Sequence, residues 1–401
     1  MNGNMLSFDE AQARLLSFVR PVREIETVDT MMAAGRVLAV ALHSTIDQPP
    51  MDNSAMDGYA LRVADVPAAG TRLPISQRIP AGSVGHALQP GTAARIFTGA
   101  PLPAGADAVV MQELCEHDGE HVVVNTVPPV GEAVRRMGQD IAAGAQVLPA
   151  GLRLTPQALA LAASVGAAQL PVYRRLKVAL FSTGSELVMP GEPLPPGGIY
   201  NSNRFMLRNL LAGLGCEVED FGIVPDRLDL TREALRRAAE GHDLILSSGG
   251  VSVGEEDHVK PAVEAEGSLD LWKIAMKPGK PLAYGRVHGA AFIGLPGNPV
   301  SSFVTFLLMV RPFLLAAQGV REVLPQSLML RADFDWPRPD RRREFLRARM
   351  NGQGGIELFV NQASSAINST VWANGLVDIP ADTVVARGET VRFLPYGDLL
   401  N

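Results

Sequence analysis

Hydrophobic and polar positions change their spacing several times along the chain, most regularly between residues 177 and 319. Short apolar runs there alternate with stretches whose apolar residues recur at helical intervals. The runs predict strands at residues 178–181, 218–224, 244–247, 271–275, 282–285 and 291–294. Helices are predicted at 205–214, 231–240 and 300–317. This alternation predicts an open, largely parallel α/β sheet that binds ligands beyond the carboxyl ends of its strands.

The segments on either side of this unit have other patterns. Ser7 and Glu10 predict a capping box before a helix, a second helix is predicted over 30–42, and Thr155 and Pro156 begin a third that ends near Gly166. Short apolar alternations at 72–79, 94–97, 108–111 and 122–127 predict a small β domain. Strand-like stretches at 327–334, 345–350, 356–360 and 391–394 predict a β-barrel or sandwich.

We therefore predict an α/β multidomain chain. Its parts are a helical domain of residues 1–45 and 145–175, an inserted β-rich domain of residues 46–144, an α/β domain of residues 176–322 and a barrel-like β domain of residues 323–401.

Composition excludes several classes of function. The 401 residues carry a formal net charge of −6, with a single short arginine run at 341–343, which argues against nucleic acid as a partner. The 2 cysteines cannot build a disulfide framework, and the 7 histidines lack metal-ligand spacing. Arg311, Pro312 and hydroxyl residues interrupt the apolar stretch 300–317, which predicts a buried helix and no membrane span. We expect a cytoplasmic protein.

Lysine is rare and clustered. The chain has 36 basic residues and uses arginine for nearly all of them, yet Lys273, Lys277 and Lys280 lie close together. Lysine is a compact, mobile point charge, whereas arginine is a rigid fork. The cluster therefore favours a site for a small anion.

Polar, glycine-rich loops follow the predicted strands at the edge where an α/β sheet binds its ligands. Small residues let backbone N–H groups approach an anion, which predicts a phosphorylated ligand, and the carboxylates at 255–257 suit Mg²⁺. The residues expected to bind substrate or oxyanion are Ser182, Thr183, Gly184, Ser248, Gly249, Gly250, Ser252, Pro281, Pro296, Gly297, Asn298, Pro299 and Ser301.

Five motifs then occur in a characteristic order: SAMDGYA at 54–60, TGAPLPAGAD at 98–107, SSGGVSVGEED at 247–257, KPGKP at 277–281 and GLPGNP at 294–299. With them the chain resembles the MoeA family of molybdopterin molybdenumtransferases, which also includes the gephyrin E domain. The resemblance implies the final step of molybdenum cofactor biosynthesis. Molybdate is inserted into adenylylated molybdopterin and AMP is released, with Mg²⁺ or another divalent cation assisting.

The resemblance also implies an architecture and partners. The family is an elongated homodimer with a helical linker and dimerisation domain, a molybdopterin-binding α/β domain and a β-rich lid. The lid of one subunit faces the α/β domain of the other, so the active site is shared. The implied partners are the small-molecule substrates and the enzyme that makes the adenylylated intermediate, molybdopterin adenylyltransferase.

The resemblance assigns roles to individual residues. Asp57, Thr98 and Asp140 are the lid residues of the site. Glu186, Asp226 and Asp257 match acidic positions for the metal and the adenylate. The oxyanion side is matched by Lys273, Lys277 and Lys280, with Ser369 and one arginine, Arg347 or Arg343.

Three alternatives remain at this stage. The chain could be the adenylyltransferase itself, although that activity usually occupies one compact domain. It could be a scaffold that binds molybdopterin without turnover. It could also use tungstate, because the two oxyanions are nearly identical in size and charge.

Overall fold

The computed structural model describes residues 5–250 and 258–400 and is built around a six-stranded sheet, the central sheet. Four neighbouring strands pair in parallel, and the two strands at one edge are joined to the sheet by antiparallel pairings. From edge to edge the strands are Glu217–Val224, Lys177–Thr183, Leu244–Ser248, Ala290–Leu295, Pro281–Val287 and Gly267–Lys273. The predicted α/β sheet is confirmed, except that the strand expected at 271–275 occupies Gly267–Lys273.

Both faces of the central sheet are covered. Along Lys177–Thr183, Val178 and Leu180 belong to one buried cluster, and Ala179 and Phe181 belong to another. Successive strand residues point to opposite faces, so a continuous apolar run indicates a sheet buried on both sides. The helices of this region are Ser202–Gly213, Leu228–Ala239, Val259–Glu266, Pro299–Thr305 and Arg311–Ala317.

The last two of these helices form one long element, because a π-helical turn at Phe306–Val310 joins them. The element is 19 residues long with a mean hydropathy of 1.8, enough by length and composition to cross a membrane. However, 94% of its most apolar stretch is buried inside the protein. It is a core helix, as the sequence predicted.

The C-terminal residues form a closed β-barrel, here called the barrel. Its strands, in order around the sheet, are Arg343–Met350, Gly355–Leu358, Leu328–Ala332, Thr390–Pro395 and Gly375–Ile379, and the last pairs again with the first. The barrel-like fold is confirmed, and the strand Gly375–Ile379 was not predicted. A two-residue strand, Met276–Lys277, pairs with Arg343–Met350 and ties the central-sheet region to the barrel. Short helices at Asn368–Trp372 and Tyr396–Leu399 complete this part.

A second six-stranded sheet lies between residues 58 and 124. Its strands in spatial order are Ala108–Met111, Gly58–Leu61, Ala93–Ile96, Thr71–Ile79, His121–Val124 and Cys115–His117. Four of them match the predicted alternations. Gly58–Leu61 was missed because all four of its residues are buried, so it lacks the alternation that marks a half-exposed strand. Single 3-10 turns occur at Val63–Asp65 and Gln112–Leu114.

The remaining elements connect these sheets. The helix Phe8–Ser17 has the predicted capping box between Ser7 and Glu10, and Pro156–Ser164 begins after Thr155 as predicted. The two-stranded pairs are Ile25–Asp29 with Gln169–Tyr173, Leu42–His43 with Gln146–Leu148, Asn53–Ser54 with Val134–Arg135, and Leu187–Val188 with Ile199–Tyr200.

The prediction of a helix over residues 30–42 is wrong. A single 3-10 turn at Thr30–Met32 is followed by extended chain. Gly35 has a φ of +71°, and its N–H donates to the carbonyl of Leu154. Leu38 donates likewise to the carbonyl of Leu152. Backbone pairing with a distant segment has replaced local helical hydrogen bonds.

Candidate active site

A cleft of about 630 Å³ opens between the carboxyl ends of the parallel central strands and the barrel. Many of the predicted binding residues line this cleft: Thr183, Gly184, Gly249, Gly250, Pro281, Pro296, Gly297, Asn298 and Ser301. Ser182 and Ser248 are buried beneath it, and Pro299 begins the helix behind it. Ser252 and Asp257 lie outside the described residues.

Two glycines allow the chain to pass this closely. Gly250 has a φ of +69°, and a Cβ atom there would stand 2.3 Å from Cγ2 of Val259. Gly279 has a φ of +109°, and a Cβ atom there would stand 2.3 Å from Oγ1 of Thr305. Both positions combine a left-handed backbone with no room for a side chain. Glycine is therefore required at these two bends of the cleft wall.

Asn203 ties two of the cleft loops together and was not predicted. Its Nδ2 donates to the Gly297 carbonyl at 2.7 Å and to Ser248 Oγ at 2.9 Å. It lies with Leu207 and Leu211 on the buried face of Ser202–Gly213. A polar residue at an apolar-face position of an amphipathic helix was the sequence signal that could have identified it.

Two predicted metal ligands, Glu186 and Asp226, line the same cleft. Neither carboxylate forms a hydrogen bond or ion pair with another described residue. No group of three or more His, Cys, Asp or Glu side chains within residues 5–250 and 258–400 could hold a metal ion. Carboxylate oxygens suit a hard cation such as Mg²⁺. The described residues could thus supply two acidic ligands to a divalent ion that takes its other ligands from water or substrate.

The clustered lysines occupy three different environments. Lys280 lines the cleft, is exposed, and makes no ion pair with a described residue. Lys277 also lines the cleft, but its ammonium is paired with two carboxylates of the C-terminal region. Lys273 ends an edge strand, is exposed, and is not among the cleft residues. The cleft therefore brings together two of the three lysines.

The partners of Lys277 are Glu344 and Asp340. Its Nζ lies 2.8 Å from Glu344 Oε1 and 3.3 Å from Asp340 Oδ2. Burial lowers the pKa of Lys277, but its bonds and ion pairs with the two carboxylates outweigh burial and raise that pKa overall. Arg342, which also lines the cleft, donates to both oxygens of Asp340 at 3.0 and 2.8 Å and holds the pKa of this carboxyl well below its usual range.

The residues from the barrel were the hardest to predict. Arg342, Gln362, Ala363 and Ser364 line the cleft from the C-terminal side. The short arginine run at 341–343 was the available sequence signal for this group. The run is separated from the lysine cluster by some 60 residues, and only the strand pairing of Met276–Lys277 with the barrel brings the two together.

The structure separates the two candidate arginines. Nε of Arg347 donates to Ser369 Oγ at 3.1 Å, and both residues are fully buried. Arg343 instead donates to both oxygens of Asp378, each at 2.7 Å, and to Asp9 at 2.8 Å. Arg343 is committed to structural ion pairs. The pair of Arg347 with Ser369 lies beside the cleft, because Gln362 and Ala363 contact Arg347 and also line the cleft.

The predicted lid residues do not line this cleft. Asp57 Oδ1 accepts hydrogen bonds from the N–H and the hydroxyl of Thr98, both at 2.8 Å. These bonds lower the pKa of Asp57, the backbone bond most. Asp140 lines a separate cavity of about 600 Å³ with Gln48, Asn53 and Arg135. Asp57 and Thr98 therefore form one local unit, and Asp140 belongs to another surface.

Family models match three consecutive parts of the chain. The MoeA N-terminal region (domain I and II) matches residues 6–166, the probable molybdopterin binding domain matches residues 179–316, and the MoeA C-terminal region (domain IV) matches residues 329–396. The chain belongs to the MoeA family.

Relatives of the MoeA family match the chain over nearly its full length. "Molybdopterin molybdenumtransferase" of Haemophilus influenzae is 39% identical and covers 99% of this chain and 100% of its own. "Molybdopterin molybdenumtransferase 2" of Mycobacterium tuberculosis is 40% identical, and the match covers 97% of this chain and 99% of the relative. The crystal structure of the molybdopterin biosynthesis MoeA protein from Pyrococcus horikoshii superposes with a TM-score of 0.86, at 29% identity, over 98% of this chain and 100% of its own.

These comparisons confirm the family resemblance and the multidomain α/β fold that the sequence predicted. They do so over all three matched regions, including the barrel. They also argue against the single-domain adenylyltransferase alternative, because the matches to MoeA include the N-terminal and C-terminal regions that a compact domain lacks.

Proposed function

We propose that this protein inserts molybdenum from molybdate into adenylylated molybdopterin and releases AMP. Membership of the MoeA family makes it a transferase of molybdenum cofactor biosynthesis. The proposed reaction is the final step of that biosynthesis. The observation that carries the proposal is the chemistry of the cleft. One cavity is lined by Lys280, which makes no ion pair with a described residue, by two acidic groups, Glu186 and Asp226, and by the glycine-rich loops that follow the central strands.

The cleft suits cleavage of the phosphoanhydride in the adenylylated substrate. Such a reaction depends on positioning and on neutralising charge that develops on phosphate oxygens, more than on a covalent nucleophile. Glu186 and Asp226, with Asp257, are the proposed ligands of Mg²⁺ or another divalent cation. That ion, when bound, would neutralise phosphate charge and orient the leaving AMP. The loops at 182–184 and 248–250 would hold the substrate.

The oxyanion side is proposed to lie toward the barrel. Lys277 and Lys280 enter the cleft from the loop that ends at Pro281, and Arg347 with Ser369 lies behind Gln362 and Ala363. Molybdate is a tetrahedral dianion, for which lysine ammonium groups and a guanidinium are suitable partners. Lys273 is retained as a candidate whose side chain would have to move toward the cleft.

The working enzyme is proposed to be a homodimer with shared active sites. Asp57, Thr98 and Asp140 are absent from the cleft of their own chain, which is the arrangement expected if they complete the cleft of a second subunit. We further propose that it works in the cytoplasm and receives its substrate from the molybdopterin adenylyltransferase. No nucleic acid and no membrane partner are part of this proposal.

The test is AMP release from adenylylated molybdopterin by the purified protein, with Mg²⁺ and with molybdate present or omitted. We expect release that depends on both. Lys280→Ala and Asp226→Asn should each lower it at least about tenfold, the effect of about 1.4 kcal/mol in the barrier. Lys260→Ala is the matched control, because Lys260 is an exposed lysine on Val259–Glu266 and lies outside the cleft.

Three outcomes would overturn parts of the proposal. Tight binding without AMP release under any oxyanion or divalent ion would leave a scaffold. Release that tungstate supports and molybdate does not would change the cargo. Full activity of Lys280→Ala would move the oxyanion site away from this cleft.

A further inference from the structure

The ion pairs of Lys277 have a consequence for anion binding. Lys277 and Glu344 are register partners in the parallel pairing of Met276–Lys277 with the barrel. Their side chains meet at 2.8 Å, and Asp340 lies 3.3 Å from the same ammonium. A cross-strand pair of opposite charge is normally a stabilising contact. Here it lies on the wall of a cleft that must receive a dianion.

Glu344 is held firmly in this position. It is 1% exposed, and its second carboxylate oxygen, Oε2, accepts a hydrogen bond from Nε1 of Trp336 at 2.8 Å. Asp340 is in turn held by the two bonds from Arg342. Neither carboxylate can move away without breaking a directed hydrogen bond. Lys277 is the mobile member, since its side chain is 43% exposed.

The charges of this cluster cancel. It contains two cations, Lys277 and Arg342, and two carboxylates, Asp340 and Glu344. A dianion that approaches Lys277 therefore meets a cluster with no net charge, in which two carboxylates lie next to the lysine ammonium. Lys280, which has no such partner among the described residues, keeps its full charge. The two cleft lysines thus differ in what they offer to an anion.

We propose that Glu344, with Asp340, acts as an internal counter-anion that competes with the incoming oxyanion for Lys277. Binding exchanges a carboxylate for an oxyanion oxygen at the ammonium, with no covalent bond made or broken. The carboxylates weaken the hold of the cleft on the oxyanion, so that it is delivered and not retained. The inference rests on the proposed function, since it assigns a role to two acidic residues at the oxyanion side of that site.

The test is molybdate binding to the full-length protein, measured by equilibrium dialysis with the molybdenum content determined by mass spectrometry. Glu344→Gln removes the charge and keeps a group that can accept from Trp336. We expect it to bind molybdate about tenfold more tightly than the unchanged protein, as removal of one unit charge near a dianion predicts. Asp340→Asn should act in the same direction, with a smaller effect because Arg342 already neutralises this carboxylate.

Two control variants separate charge from structure. Glu344→Asp keeps the carboxylate and should keep the affinity within about twofold of the unchanged protein. Glu357→Gln removes another carboxylate of the barrel, one that pairs with Arg349 away from the cleft, and should leave molybdate binding unchanged. Thermal unfolding of each variant checks that the barrel remains folded.

The direction in which Glu344→Gln changes the affinity for molybdate tests the inference. Weaker or unchanged binding by a folded Glu344→Gln variant would overturn the inference and would make Glu344 a positioning residue for Lys277. If neither the Glu344→Gln variant nor the unchanged protein binds molybdate in the dialysis experiment, the inference fails. The proposed function still stands in that case, provided that the unchanged protein releases AMP in a molybdate-dependent way. Loss of molybdate-dependent AMP release in the unchanged protein overturns the proposed function itself.

Discussion

Arg347 donates a hydrogen bond from Nε to Ser369 Oγ at 3.1 Å, in a part of the barrel where both residues are fully buried. The other bonds of its guanidinium go to the carbonyls of Phe345 and Ala363, and no carboxylate among the described residues pairs with it. Burial lowers the pKa of Arg347 to about 10. A buried cation held only by neutral groups keeps its unmet attraction for an anion. This supports the choice of Arg347 over Arg343 for the oxyanion side.

Removal of the Ser369 hydroxyl should destabilise the barrel. Ser369→Ala leaves Nε of a buried guanidinium without its partner, and we expect a loss of about 1–3 kcal/mol in the free energy of unfolding. This loss can be measured by urea unfolding with tryptophan fluorescence as the signal, since Trp336 and Trp372 both lie in the C-terminal region. Thr370→Ala is the matched control, because the hydroxyl of this half-buried neighbour bonds only the carbonyl of Ile367. Equal stability of the two variants would contradict the expectation.

Asn203 should matter both for stability and for substrate. Asn203→Ala removes two hydrogen bonds that hold the loops around Ser248 and Gly297, and it leaves the Gly297 carbonyl without this donor. We expect a loss of about 1–3 kcal/mol in unfolding free energy and a raised KM for adenylylated molybdopterin in the AMP-release assay. Asn209→Ala, on the same helix, breaks only an exposed bond to the Phe205 carbonyl and should change neither quantity. A normal KM in Asn203→Ala would show that the loops hold their positions without this bridge.

Both thiols should be unreactive in the folded protein. Burial raises the pKa of Cys115 to about 11 and that of Cys216 to about 12. The thiolate is the reactive form, and with a pKa near 11 roughly one thiol in a thousand is ionised at pH 8. Iodoacetamide labelling at pH 8, read by mass spectrometry, should be about a hundredfold slower in the native protein than in guanidinium. The single variants Cys115→Ser and Cys216→Ser assign each rate, and rapid native labelling at either position would contradict this expectation.

Glu266 should make stability depend on pH in the acid range. Hydrogen bonds from Arg236 and Arg232, and a contact with His288, lower its pKa to about 2 despite burial. Its contribution is complete above the usual glutamate pKa of about 4.3 and is lost as the pH falls toward 2. The thermal midpoint of Glu266→Gln should therefore lie below that of the unchanged protein at pH 7, and the two should converge as the pH approaches 2.

The control for this pH dependence is Glu264→Gln on the same helix, where the side chain is exposed. We expect this variant to follow the unchanged protein at every pH. A constant difference between Glu266→Gln and the unchanged protein from pH 7 to pH 3 would assign the effect to packing and not to the charge of Glu266.

Local patterns predicted strands best where an apolar run stands within a regular strand–helix alternation. The strands Lys177–Thr183 and Leu244–Ser248 match their predicted bounds within two residues, because the predicted helices that alternate with them along the chain support the same interpretation. A local pattern failed for residues 30–42, where apolar content suggested a helix and pairing with residues 152–172 produced extended chain. Long-range backbone pairing can override a local preference of a few tenths of a kcal/mol per residue.

By itself the sequence determined the α/β alternation, the loops at the strand ends, the lysine cluster and the motifs of the MoeA family. Each of these depends on residues that are neighbours along the chain. Only the tertiary structure decided that Lys277 is paired with Glu344, that Arg347 and not Arg343 meets Ser369, and that Asn203 joins two loops. Those contacts connect residues that lie between 22 and 94 positions apart. The barrel's pairing with Met276–Lys277 brings its acidic residues to the cleft, and no local pattern records that approach.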